Sequence, residues 1–394
     1  MIKNIYIDNF KSLMDFELNL AAFTCLVGLN GAGKSTVLQA LDFISQQMRG
    51  DIDEWLFQRQ WQPSDIGSKL TAKKNIEIAL QLENQDHGLI EWKASFNRHS
   101  LRCTREEATS NGKLVLKVED GEFFINKNVS SEGWRSASHS IMFDYQGSIL
   151  SQLKQNQLGP GLQVLKETLA NIRSLDLLSP EHLRQRTRDS AGHLGLGGQK
   201  LSAYLHEQGS EARQRLLAKL QTVYPQLTSI DTRSMRSGWK HLDIAEQFAK
   251  KTLKTPARHV NDGLLRLLAV LSQLESDEQF LLFDEIENGI NPELVEFLVD
   301  ALVESEHQVM VTTHSPVILN YLEDEVAKQG VIYLYKNASG ATQAIHLFEI
   351  PSLADKLRVM GPGEAFLDTR LTELEDEIQG LRQQECKDAS ATER

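Results

Sequence analysis

Cysteine is scarce in this chain: Cys25, Cys103 and Cys386 are the only three in 394 residues, and they lie far apart. They form no metal-ligand spacing and no even disulfide set, which points to a reducing, cytoplasmic setting. No apolar run approaches the ~20 residues of a membrane span, so no membrane partner is expected. Polar residues break up the opening Met1-Ile2-Lys3-Asn4-Ile5 at once, so a signal peptide is not expected there. Lysine and arginine are missing altogether from Leu267 to Ala327. The net charge of −12 argues against a uniformly basic nucleic-acid binder. Basic charge is instead concentrated between Glu181 and Arg258, where fourteen basic residues face seven acidic ones.

What the chain does have begins with Gly28-Leu29-Asn30-Gly31-Ala32-Gly33-Lys34-Ser35-Thr36. This is G-x-x-x-x-G-K-[ST], the phosphate-cradling loop. Gly31 and Gly33 let backbone N–H groups turn toward phosphate oxygens, Lys34 reaches the β- and γ-phosphates, and the Ser35 hydroxyl ligates Mg²⁺. The apolar run Ala22–Val27 reads as a buried strand before the loop. A helix after it, from about Ser35 to Met48, points its positive end at the same anion. Asn30, Gly31, Ala32, Gly33, Lys34, Ser35 and Thr36 are therefore the candidate nucleotide-binding residues.

Ile5–Ile7 and the alternating Met14–Leu20 read as strands. From Asn75 the hydrophobic period becomes two, and short strands follow through Ile125. Asn111-Gly112 and Asp120-Gly121 sit at hairpin joints, giving an antiparallel β lobe. From about residue 151 the pattern turns helical and basic, interrupted by a glycine-rich joint at Gly192–Gly198. The final third returns to α/β, with expected strands at Phe280–Phe283, Gln308–Thr312 and Gly330–Tyr335 and helices at Leu264–Leu274 and Pro292–Val303. Leu367, Leu371, Leu374, Ile378 and Leu381 suggest a tail helix over Gly363–Gln384 with a two-heptad seam.

Two strand ends carry chemistry. Phe280–Phe283 ends in Asp284-Glu285, placing one carboxylate for Mg²⁺ and one to polarise an attacking water. The strand ending at Thr312 is followed by Thr313-His314-Ser315, where His314 can meet a γ-phosphate or that water. Together these residues resemble the ABC-type ATPase heads of the SMC, RecF and OLD-like families, in particular the short bacterial RecF-like, AAA-type ATPases with an AbiEii-like label. In that light Asn9-Phe10-Lys11-Ser12 looks like the opening strand motif, Tyr145-Gln146-Gly147 the Q-loop, Asp284-Glu285 Walker B, Glu287–Pro292 the D-loop and His314 the switch histidine.

Two stretches compete for the signature motif, Leu196-Gly197-Gly198-Gln199 and Val260-Asn261-Asp262-Gly263. The family places it about twenty residues before Walker B. Gly263 lies 21 positions before Asp284 and Gly198 lies 86, so spacing selects Asn261, Asp262 and Gly263. Asn261 stands where the family usually has serine.

The resemblance implies an α/β fold, a P-loop NTPase head of ABC type with an antiparallel β lobe and a mostly helical insertion. Its expected parts are 1–150, the first half of the head; 151–255, the basic insertion; 256–350, the second half; and 351–394, a helix and tail. It further implies Mg²⁺-dependent ATP hydrolysis, with Glu285, His314 and Lys34 catalytic and Ser35, Gln146 and Asp284 around the metal. Two copies would sandwich ATP, each closed by Asn261–Gly263 of the other. Such a switch would control a separate effector, a nuclease or toxin, in phage defence or DNA maintenance. The alternative is a RecF-like repair ATPase that binds DNA through the basic insertion.

Overall fold

The computed structural model describes residues 1–126, 138–370, 374 and 376–381. Among them the chain forms three sheets. The central one has six strands in the order Ile172–Leu175, Phe280–Phe283, Gln308–Thr312, Phe23–Val27, Val331–Lys336 and Thr342–His346. The first five run parallel and the last antiparallel. Phe23–Val27 thus lies between two strands from the final third of the chain, and one sheet joins segments about 300 residues apart.

Both faces of this sheet are covered, which explains its uninterrupted apolar strands. Cys25, Leu281, Phe283, Val309 and Val311 enter one core with the helices Asp262–Gln273 and Pro292–Val303. Leu26, Phe280, Leu282 and Met310 enter a second core with the helix Lys34–Arg49. That second core is shared with an eight-stranded antiparallel sheet, the expected β lobe. Its strand order is Phe16–Asn19, Ile2–Asp8, Asn75–Asn84, Gly88–Asn97, Arg102–Ser110, Lys113–Glu119, Glu122–Ile125 and His139–Ser140. Asn111-Gly112 and Asp120-Gly121 all have positive φ, the tight hairpin geometry their sequence signals. Trp92 and Phe96 are fully buried on the inner face.

Two expectations need correction. In 151–255, expected to be mostly helical, Ile172–Leu175 is already the edge strand of the central sheet, and the helices end at Gln221 with the helix Gly209–Gln221. Leu227–Ser234, Lys240–Phe248 and Lys251–Pro256 then form a three-stranded antiparallel sheet. A register shift between Leu227 and Ser229 puts the buried Leu227 and Ile230 three residues apart, so the strand imitates a helical period. The tail helix is also interrupted. Pro362–Leu367 is helical, a turn follows, and helix is present again at 374 and over 376–381. Lys356 draws the break closed by donating to the Asp368 carbonyl at 2.6 Å and to the Thr369 hydroxyl at 2.9 Å. Leu367 is 60% exposed whereas Leu374 and Ile378 are buried in the first core, so no continuous seam forms. Leu371 lies outside the described residues.

Candidate nucleotide site

The C-terminal ends of three adjacent parallel strands, Phe280–Phe283, Gln308–Thr312 and Phe23–Val27, define the site. Gly28 leaves the last of these with φ 146° and passes so close to the Leu334 carbonyl that a Cβ would sit 2.3 Å from its oxygen. Gly33 turns the chain into the helix Lys34–Arg49 with φ 112°, and a Cβ there would meet the Thr342 hydroxyl at 2.3 Å. Both glycines are required by close approach as well as by dihedral. Thr342 fixes the loop by donating to the Ala32 carbonyl at 2.8 Å.

Lys34 is only 5% exposed. Its ammonium donates to the carbonyls of Gly28 at 2.8 Å and Leu29 at 3.3 Å and lies 3.4 Å from His314 Nδ1. Desolvation lowers its pKa, opposed by Asp284, Glu285 and Glu287. His314 Nε2 in turn lies 3.2 Å from Glu285 Oε1. With Lys34 donating to Nδ1, the imidazole proton belongs on Nε2, where it can donate to Glu285. The Ser35 hydroxyl hydrogen-bonds the Asp284 carboxylate, whose pKa burial raises. The phosphate loop and the distal acid pair are thus in contact, at the wall of one cavity. It measures about 1020 Å³ and is lined by Lys34, Ser35, Glu285 and His314 together with Ser12 and Lys336.

The geometry at Asp284-Glu285 depends on residues that the motifs did not single out. Glu285 has φ 47°, a left-handed conformation that is costly for a glutamate. Thr312 supports it: its hydroxyl accepts from the Glu285 amide at 2.9 Å and donates to the Asp284 carboxylate. Arg266, buried in the helix Asp262–Gln273, donates to the carbonyls of Asp284 at 3.0 Å and Glu285 at 2.8 Å. It is the last cation before the cation-free stretch, the one trace it leaves in the sequence. Glu287 Oε1 accepts from the His314 amide at 2.9 Å and the Ser315 amide at 3.1 Å, and so sets the histidine loop.

A magnesium ion fits the Ser35–Asp284 pair. Among the described residues no cluster of three or more His, Cys, Asp or Glu is assembled for a metal. One hydroxyl and one carboxylate beside a phosphate pocket suit an ion that keeps waters and takes phosphate oxygens. Gln146 is not at this pair. Its amide donates to the Asp53 carboxylate and its oxygen accepts from the Asp53 amide at 3.0 Å, at the start of the helix Ile52–Gln58. The neighbouring backbone is pinned to the β lobe, with Glu106 accepting from the Ile149 amide at 2.7 Å and the Ser148 hydroxyl at 2.5 Å.

Asn261, Asp262 and Gly263 also lie outside the cavity. Asn261 caps the helix Asp262–Gln273 by accepting from the Leu264 amide at 2.8 Å. Asp262 pairs with Arg184, and Gly263 packs against the Gly289 carbonyl. Asn261 and Asp262 are exposed. The competing stretch around Gly197 forms a turn in the insertion.

This sheet order and loop placement define a P-loop NTPase head of the ABC type, the class to which SMC, RecF and OLD-like ATPases belong. The family model described as "AAA domain, putative AbiEii toxin, Type IV TA system" matches residues 119–320, and a second, described as "AAA ATPase domain", matches 1–132. The first covers half of the chain, which therefore belongs to that family of ATP-binding, AAA-type ATPases. An OLD nuclease of Thermus scotoductus is 29% identical over 133 residues, 34% of this chain and 21% of that protein. The chain thus spans about a fifth of that relative's length. An SMC head bound to the C-terminal winged-helix domain of ScpA has a similar fold, with TM-score 0.54 and 16% identity over 91% of this chain and 99% of the other. An SMC head with extended coiled coil, bound to the C-terminal domain of ScpA from Pyrococcus furiosus, gives 0.51 and 16% over 91% and 99%. Among the described residues no helix is long and apolar enough to cross a membrane.

Proposed function

We propose that the chain hydrolyses ATP with Mg²⁺ and uses the cycle as a switch. The observation that carries this reading is the contact chain Lys34–His314–Glu285 beside the Ser35–Asp284 pair. Lys34 and the loop amides hold the phosphates in line, and the ammonium leaves its carbonyl partners for phosphate oxygens. Mg²⁺, held by Ser35 and Asp284, would supply charge neutralisation at the β- and γ-oxygens. Glu285 orients the attacking water and accepts its proton, while His314 donates from Nε2 to the transferring phosphoryl group. Positioning and electrostatics carry the reaction.

Asn261 and Asp262 are exposed, and Asn261–Gly263 does not line the cavity of its own chain. This supports a dimer in which each copy closes the site of the other, with a separate effector reading the dimer. ATP-dependent dimerisation of Glu285→Gln, measured by light scattering, tests this. A variant that stays monomeric with saturating Mg·ATP removes the sandwich. Undiminished phosphate release by the same variant removes the assignment of Glu285.

A nucleic-acid reading has its own support. Arg188 stacks over Trp239 at 5.4 Å, and the exposed Arg186, Arg233 and Arg236 belong to the same basic insertion. Salt-dependent DNA binding that is lost in Arg188→Ala would favour it.

A further inference from the structure

A second cavity, of about 630 Å³, lies between the helix Lys34–Arg49, the helix Ile52–Gln58 and the glycine-rich loop that ends at Lys200. It is within the size range of small-molecule sites. Its wall includes Arg49, Arg173, His193 and Lys200, with the exposed Asp51 and Glu54 also lining it. Arg173 is paired with Glu278 at 2.7 Å. Arg49 spends its guanidinium on the Ala170 and Ile172 carbonyls, and among the described residues neither it nor Lys200 forms an ion pair.

At the centre of this wall the hydrogen bonding does not close. The Gly195 amide donates to His193 Nδ1 at 3.0 Å. A neutral imidazole has one acceptor nitrogen, so its proton is on Nε2. Yet Nε2 lies 3.3 Å from the Lys200 ammonium, so two donors face each other. Burial and the cations Lys200, Arg173 and Arg49 push its pKa down to about 4, which keeps the imidazole neutral and leaves Nδ1 its lone pair for the Gly195 amide. Two donors held together beside further cations lack one component, an anion with several acceptor oxygens.

We propose that this cavity binds the phosphate monoester of a sugar or nucleoside, with the phosphate taken by His193, Lys200 and Arg173 and the hydroxyls by Asp51 and Glu54. The site also touches the ATPase motifs. Asp53, in the helix that supplies Glu54, holds both ends of the Gln146 amide. Occupancy is therefore placed to change where Gln146 points.

Calorimetric titration of the full chain with ribose 5-phosphate tests the site without reference to ATP hydrolysis. Saturable binding is expected, retained in Lys34→Ala and in Lys200→Arg. It should weaken at least about tenfold in Lys200→Gln and in Arg173→Gln, the loss of one charge-assisted hydrogen bond. If Lys200→Gln does not fold, as judged by circular dichroism, Arg173→Gln decides. No saturable binding, loss of binding in Lys34→Ala, or unchanged binding in the folded glutamine variants would overturn the proposal. Inorganic phosphate binding as tightly as the ester would overturn the sugar component. The link to Gln146 rests on the ATPase reading and has its own readout. Ribose 5-phosphate should change the ATP turnover of wild type and leave that of Lys200→Gln unchanged; equal response of the two ends the link.

Discussion

Two glycine-rich loops in this molecule end in a lysine, Gly28–Lys34 and Gly192–Lys200, and their surroundings differ in kind. The first joins a buried parallel strand to a sixteen-residue helix, and its lysine lies beside His314 with carboxylates nearby. The second is a run of turns in the insertion, and its lysine lies beside a neutral histidine and two arginines. In the first, the protein's own carboxylates offset part of the cost of burying the cation and can hold a metal. In the second the cation is left for a ligand to balance. Glycine content is common to both, so it is the strand end, with Asp284 and Glu285 on the adjoining strand, that makes a site for phosphoryl transfer.

The sharpest way to test this contrast is at Glu285, which has no counterpart at the second loop. Glu285→Gln should lower ATP turnover by roughly a hundred- to ten-thousandfold while ATP still binds, measured by single-turnover phosphate release. The lysines come next. Lys34→Ala should weaken binding of a fluorescent ATP analogue by about a hundredfold, whereas Lys200→Gln should leave it within about twofold. Equal losses would break the comparison.

A pH effect follows from the β lobe that pins the Gln146 segment. Burial raises the Glu106 pKa from 4.5 to about 7. Between these values the folded state binds a proton that the unfolded state releases. Stability from this group is full below pH 4.5 and is lost as pH rises through 7, by about 3 kcal/mol. Urea midpoints at pH 5 and pH 8 should show this fall in wild type and a flatter profile in Glu106→Gln.

The loops themselves give the last comparison, and at Gly192 the smallest expected effect. Gly33→Ala sets a Cβ 2.3 Å from the Thr342 hydroxyl at φ 112°, and should cost roughly 3 kcal/mol. At Gly192, φ is 76° with no heavy atom within 4 Å of a Cβ, so Gly192→Ala should cost about 1 kcal/mol. Thermal melts of the two variants measure the difference.

Much of this was legible in the residues. Strands buried on both faces read as unbroken apolar runs, so Phe280–Phe283 and Gln308–Thr312 could be placed to the residue, as could the helix Pro292–Val303. Hairpins were legible from Asn111-Gly112 and Asp120-Gly121, whose positive φ only certain residues adopt readily. The sheet at Leu227–Pro256 was hidden by its register shift. Gln146 matched a motif, but a motif does not say which partner a half-buried amide takes, and here the partner is Asp53. Arg266 and Thr312 leave no spacing signal, because Asp284 and Glu285, which they brace, are distant in sequence.

Local order along the chain thus determined the phosphate loop, the acid pair and the strands that carry them, since each depends on dihedral preference and burial within a few residues. Only the tertiary structure decided that Lys34 meets His314, that Arg266 braces a left-handed Glu285, and that Lys200 lies against His193 Nε2. Those relations depend on strand order and on where buried donors find acceptors, and both are set by how distant segments pack.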